Sequence, residues 1–188
     1  NVLFDTYDNK YFPRSGFLLS AEYKNYFHSS NYNNNFENFS QFNGEIGVVK
    51  TIFGKVSAEV KFDMGISFNS EPSSFFKYFF GGNGFQPTAN IKQFYGYNFL
   101  SIFEDSYIRG QFRVDYEIFK RNHINFSGNY ANIGKSIFET GDWAKKPRFT
   151  GYAIGYGYQT VIGPIELKYS WSPETRQNFT NLSVGFWF

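Results

Sequence analysis

The chain has 188 residues, no cysteine and a formal net charge of +2, from 18 Lys plus Arg against 16 Asp plus Glu. So even a balance argues against nucleic acid as a partner, which asks for a clustered basic face. The lack of cysteine excludes disulfides, thiol nucleophiles and thiolate metal sites together. Mean hydropathy is negative, and no apolar run approaches the roughly 18 residues of a spanning helix. A helical membrane protein is therefore excluded, whereas a membrane barrel is not, because alternation halves its apparent hydrophobicity. The 15 Tyr and 26 Phe are what the aromatic girdles of such a barrel need. The chain begins at Asn1 without Met or a leader, as expected of a mature product or a fragment.

In chain order, Val2 to Asp8 reads as a short strand, and Asn9 to Gly16 as a turn punctuated by Pro13 and Gly16. Phe17, Leu19, Ala21 and Tyr23 alternate with Leu18, Ser20, Glu22 and Lys24 in a second strand. An Asn-rich segment at about 25–40 predicts a solvated loop. Gln41 to Ile52 alternates less cleanly, with Phe42, Ile46 and Val48 opposite Asn43 and Glu45, and Phe53-Gly54 is a tight connection.

The clearest pattern follows. From Lys55 to Phe68 every even position is apolar (Val56, Ala58, Val60, Phe62, Met64, Ile66, Phe68) and every odd position is polar or glycine. A period of two held over that length is a strand, and it is more than twice the usual soluble length of about five or six residues. A tilted transmembrane strand needs only about 9 to 11. The expectation is an outer-membrane β-barrel, apolar side chains toward lipid and polar ones toward the lumen.

The stretch at about 69–105 reads as a long irregular loop carrying Gly81, Gly82, Gly84 and Pro87, then Phe94-Tyr95-Gly96-Tyr97. Tyr107 to Phe119 restores the alternation. Lys120 to Asn122 turns the chain, and His123 to Asn132 puts Ile124, Phe126 and Tyr130 on one face. A further long loop spans about 134–149. In Thr150 to Gln159, Tyr152, Ile154, Tyr156 and Tyr158 point outward opposite Gly151, Ala153, Gly155 and Gly157, small residues that leave room in the lumen. After Ile162-Gly163-Pro164, Ile165 to Trp171 alternates, Ser172 to Thr180 is polar, and Leu182, Val184, Phe186 and Phe188 close the chain in step.

Connections in bacterial barrels alternate between short periplasmic turns and long external loops. Here they alternate correctly only if Tyr97 to Glu104 stays inside the long loop. About nine spanning strands result. An odd count leaves a strand edge with unpaired amides in lipid, too costly to stand alone. Either the strand count is off by one, or, as the favoured expectation, the chain is the C-terminal part of a larger all-β, antiparallel transmembrane barrel, as one domain over 1–188.

Several motifs together resemble the bacterial surface-antigen superfamily of outer-membrane barrels. Asp5-Thr6-Tyr7-Asp8-Asn9 with Tyr11-Phe12-Pro13-Arg14-Ser15-Gly16 is similar to its "DTRDN…FPTRG" signature. Phe80-Gly81-Gly82 leading to Phe94-Tyr95-Gly96-Tyr97 is similar to its lumen-inserted loop, and 162–167 with Gly185-Phe186-Trp187-Phe188 to its closing hairpin and last strand. The resemblance implies a sixteen-stranded barrel with five strands after the lumen loop, so that seven precede Asn1. It also implies that Leu182, Val184, Phe186 and Phe188 form a signal read by the barrel-assembly machinery. Two positions depart from the pattern. Tyr95 stands where the family's loop has arginine, and Asn132, with Gly134, stands where its acidic partner lies. Losing both charges together is coherent, since either alone in a partly dehydrated lumen is costly, and a neutral Tyr95–Asn132 contact is expected instead.

Within that superfamily, Gly151-Tyr152-Ala153-Ile154-Gly155-Tyr156-Gly157 and Tyr169-Ser170-Trp171-Ser172-Pro173-Glu174 resemble the barrel of patatin-like phospholipases. This implies an attached lipase domain that the barrel anchors and helps translocate. No Gly-x-Ser-x-Gly elbow is present in the chain, and His28 and His123 read as lone surface residues. No catalytic residue, metal site or cofactor is expected. The inward charges, Lys55, Glu59, Lys61, Asp63, Arg109, Arg113, Asp115 and Glu117, read as a cross-paired lumen wall. Expected partners are outer-membrane lipid, the assembly machinery, and preceding strands or a passenger domain of the same protein; homo-oligomerisation stays open. The competing readings are a self-contained small barrel acting as a pore or lipid-modifying enzyme, an assembly factor, and a soluble ligand-binding barrel with an apolar interior.

Overall fold

A computed structural model describes residues 1–27, 38–69, 76–83, 88–161 and 163–185. Among these described residues twelve strands are formed: β1 (Val2–Asp5), β2 (Ser15–Tyr26), β3 (Phe39–Phe53), β4 (Val56–Phe68), β5 (Tyr78–Phe80), β6 (Ile91–Lys92), β7 (Ile102–Glu104), β8 (Ser106–Phe119), β9 (Asn122–Gly134), β10 (Phe149–Thr160), β11 (Gly163–Trp171) and β12 (Asn178–Val184). Nine of them make one sheet in the order β1-β2-β3-β4-β8-β9-β10-β11-β12, and every pairing in it is antiparallel. The sheet is open, with β1 and β12 as its outer strands.

The alternation seen in the sequence sets the two faces. Leu19, Ile46, Val48, Val60, Phe62, Val114, Ile124, Phe126, Ile154, Leu167 and Tyr169 are exposed, while Asp63, Arg109, Asp115, Asn125, Ser127, Asn129, Lys168 and Ser170 are buried. This is the inverse of a soluble protein, in which charged side chains are almost never fully buried unless paired. The sheet also curls. Arg113 on β8 reaches Glu166 on β11 at 3.5 Å, although three strand spacings in a flat sheet would separate them by about 14 Å. An open, curled antiparallel sheet that is polar inside and apolar outside is part of a transmembrane barrel.

The connection between β4 and β8 corrects the expected irregular loop. It folds into its own small sheet, β6-β5-β7, with β5 parallel to β6 and antiparallel to β7, and it lies against the concave face. Tyr97 to Glu104 stays within this insertion, as parity requires, so four strands of the large sheet precede it and five follow. The last strand starts at Asn178, earlier than the alternation suggested. Lys55 sits exposed in the β3–β4 turn and not in the lumen; its Nζ donates to the Ile118 carbonyl. Gly84, Pro87 and Ile162 lie outside the described residues.

Candidate functional site: the lumen insertion and its clamp

The insertion carries an aromatic core onto the inner wall. Tyr78, Phe80, Phe94 and Tyr97 cluster with Tyr107 on β8 and with Ala131 and Ile133 on β9. Phe80 meets Phe94 and Tyr107 edge-on, with ring centroids 6.2 and 4.8 Å apart, a favoured aromatic geometry. Gly65 on β4 makes the approach possible, because a Cβ there would lie 2.4 Å from the Tyr107 ring and 2.6 Å from that of Tyr78.

Gly81 and Gly82 turn the chain with positive φ of 132° and 75°, and Gly82 bridges Phe94. Gly96, at φ 74°, brings the backbone against β11; a Cβ there would lie 2.2 Å from the Trp171 carbonyl carbon. Tyr95 follows β10 the same way, its carbonyl oxygen 2.0 Å from where a Cβ on Gly151 would stand. Small inward residues on β10 thus admit this segment.

The clamp on the insertion comes from the wall. Asp63 on β4 and Arg109 on β8 are direct cross-strand partners, and Arg109 donates from Nε and Nη2 to the two Asp63 oxygens at 2.9 and 3.0 Å. The remaining terminal nitrogen, Nη1, donates to the Gln93 carbonyl. Sequence reasoning placed both charges inward but did not pair them with each other or with the loop; the β4–β8 register gives the Asp63–Arg109 pair, and nothing local in the sequence signals the contact with Gln93.

Asn132 does not pair with Tyr95. Its Nδ2 donates to the Lys145 carbonyl at 2.9 Å and its Oδ1 accepts from the Arg148 amide at 2.9 Å, so it braces the 134–149 segment. Gly134 closes β9 and pairs with Ser106. The Tyr95 ring instead lies 5.5 Å from Lys168 Nζ, and Asn129, with its amide turned accordingly, accepts from the Tyr95 amide.

A second insertion enters from the short-turn end. Asp8 Oδ1 accepts from the Arg14 and Ser15 amides at 2.8 and 3.1 Å, and Asn9 Oδ1 accepts from those of Tyr11 and Phe12, side-chain turns of the kind that Asp and Asn favour. Burial works against the Asp8 carboxylate, but those amide donors hold it below the usual aspartate range. The turn drives Phe12 inward, where it stacks on His123 with centroids 4.1 Å apart and the Arg113 guanidinium 5.1 Å from its ring. His123 is therefore not a surface residue: it is 4% exposed, with Nδ1 2.7 Å from Asp115. Gly157 makes the space, since a Cβ would lie 2.4 Å from Phe12. His28 lies outside the described residues.

At the long-loop end, Glu174 gathers the Ser172 hydroxyl at 2.6 Å, Thr150 at 2.8 Å and the Tyr97 hydroxyl at 3.4 Å, and Thr175 donates to the Gly96 carbonyl. Burial raises the Glu174 carboxyl, but the Ser172 and Thr150 hydrogen bonds prevail and hold it below the usual glutamate range. Leu182 and Val184 are outward, 63% and 55% exposed; Phe186 and Phe188 lie outside the described residues. Among the described residues, no three His, Asp or Glu side chains converge as a metal set.

A family model of the OMP85 superfamily matches residues 1–188. The chain belongs to the OMP85 superfamily. Among solved structures, this OMP85 barrel is similar to BamA from Haemophilus ducreyi lacking POTRA domains 1–3, at 12% identity and a TM-score of 0.66, over 96% of this chain and 41% of that one. At that identity the likeness shows the fold, and the OMP85 chain spans less than half the length of the structure it matches. No curated protein sequence matches it. Its place is the bacterial outer membrane.

Proposed function

We propose that the chain is the membrane-embedded, non-catalytic portion of a larger protein, in which further strands complete the barrel and a patatin-like lipase domain is anchored and carried across the membrane. One observation carries the anchoring role. The lumen face is occupied from both ends by the chain's own segments, the aromatic insertion clamped by Arg109–Asp63 and the turn that seats Phe12, which suits a closed anchor better than an open pore. The resemblance at Gly151–Gly157 and Tyr169–Glu174 supports the patatin-like passenger. The outward apolar residues would meet lipid, and Leu182, Val184, Phe186 and Phe188 would form the signal taken up by the assembly machinery. In the lumen, Gly81, Gly82 and Gly96 would shape the insertion, Phe94, Tyr95 and Tyr97 would seat it, and Asn132 and Gly134 would brace the neighbouring external segment.

A second reading, an assembly factor, draws on the shared fold with BamA. Two measurements separate the readings. The intact mass of the protein extracted from its membrane is expected to exceed 21.9 kDa by several strands and a hydrolase domain, and a mass equal to this chain would overturn the anchor. Depleting the protein is expected to leave other outer-membrane barrels at normal levels; their loss would favour the assembly factor.

A further inference from the structure

Between the clamped insertion and the Phe12 turn lies a polar cavity of about 220 Å³. Five cations border it, namely Lys61, Lys92, Arg109, Arg113 and Lys168, facing Glu45 and Glu59. Most of this charge is already matched. Lys61 meets Glu59 at 2.9 Å, Arg109 holds Asp63, Lys168 meets Glu166 at 3.1 Å, and Arg113 reaches Asp115 and Glu166 at 3.6 and 3.5 Å. Lys92 Nζ lies 6.0 Å from the centre of the Tyr107 ring.

Among the residues that line the cavity, what is left over is a set of donors. Gln93 Nε2, Arg113 Nε and Ser127 Oγ are buried without a hydrogen-bond partner on the protein, and all three residues line this cavity. Ser127 is 1% exposed and is the direct cross-strand partner of Arg113, so their inward side chains stand side by side about 5 Å apart at Cβ. Buried donors without acceptors are rare and call for an explanation, an ion among them. Glu59 Oε1 on the same wall is answered by Lys61 Nζ at 2.9 Å; outside the lining, Asp115 Oδ1 and Asn125 Oδ1 also lack a hydrogen-bond partner, Asp115 Oδ1 lying 3.6 Å from Arg113. A ligand that only accepts, and carries negative charge, fits three donors that include a guanidinium N–H, and charge-assisted bonds of this kind are about twice as strong as neutral ones.

We propose that this chamber binds a small oxyanion, phosphate or a carboxylate, through Arg113, Ser127 and Gln93, with the Lys168 ammonium adding to the attraction. The site is independent of the anchoring reading, because it needs only the folded lumen. The test uses the full-length protein in detergent micelles, titrated with inorganic phosphate by calorimetry and, separately, with acetate in competition. Saturable phosphate binding is expected, weakened at least tenfold both by Gln93→Glu, which places a like charge in the chamber, and by Ser127→Val. Folding of each variant is read from the heat-modifiable gel shift of the barrel, and either variant alone suffices. Displacement by acetate extends the ligand class to planar oxyanions; its failure restricts the site to tetrahedral ones. An absence of saturable phosphate binding, or binding unchanged in a folded variant, overturns the proposal and leaves the chamber as a water-filled space.

Discussion

Arg109 holds Asp63 through two parallel hydrogen bonds across β4 and β8 while a third donor holds the Gln93 carbonyl of the insertion. Both side chains are almost wholly buried, at 4% and 1% exposure, so removing one partner leaves an uncompensated charge. Asp63→Asn is expected to cost about 3–5 kcal/mol, read as a lowered urea midpoint in micelles. The double variant Asp63→Asn/Arg109→Gln should recover part of that loss. A double variant worse than the sum of the singles would contradict the pairing.

Gly151→Val tests how the insertion is seated. A Cβ at this position would stand 2.0 Å from the Tyr95 carbonyl oxygen, far inside contact distance, so the 93–97 segment must move away from β10. Trypsin is expected to cleave after Lys92 in the folded variant and to spare it in the wild type. Continued protection would mean that β10 gives way instead.

Phe12 closes the short-turn end by stacking on His123 over Gly157. Phe12→Ala is expected to destabilise by about 3–5 kcal/mol, as for other buried phenylalanines, and to open the mouth. The chain has no cysteine, so Ser57→Cys is a unique reporter: Ser57 is buried and donates to the Pro13 carbonyl of this turn. A membrane-impermeant thiol reagent is expected to label it rapidly only when Phe12→Ala is also present. Equal labelling in both backgrounds would show that the turn is no barrier.

How far these features could be read in the sequence follows from the range of each interaction. Period-two alternation is local, so Val56 to Phe68 and Tyr107 to Phe119 declared their strands and faces, and parity then placed Tyr97 to Glu104 off the wall. Gly151, Ala153, Gly155 and Gly157 announced space without naming its occupants, Tyr95 and Phe12. His123 looked solitary because its carboxylate, Asp115, lies on the neighbouring strand and its ring partner, Phe12, is over a hundred residues away in the chain. Asn132 was matched by motif to Tyr95, yet its amide serves the local backbone, and a motif position alone does not specify a contact.

The lipid-facing side of the sheet yields a depth-dependent prediction. Phe62 on β4 and Val114 on β8 are outward, with 56% and 40% exposure, near the middle of their strands. Arginine at either position is expected to cost about 2–4 kcal/mol of folding free energy in bilayers, as for a cation at the midplane of a barrel's lipid face. A nitroxide-bearing lipid should quench a fluorophore placed at either site. Little quenching would mean that this face is covered by protein.

Glu174 ties the insertion to the external rim through Tyr97, and its acid response has a definite sign. Its carboxyl titrates below the ordinary value of 4.5 in the folded protein. Its contribution to stability is therefore fully present above that value and disappears as pH falls through the lower folded one. Glu174→Gln removes the charge at every pH. The urea midpoint of the wild type should exceed that of Glu174→Gln at pH 7 and converge with it on acidification, with the high-pH difference small because the group is partly solvated. A gap that widened as the pH fell would place the stabilising form of Glu174 in its protonated state and reverse the assignment of donors around it.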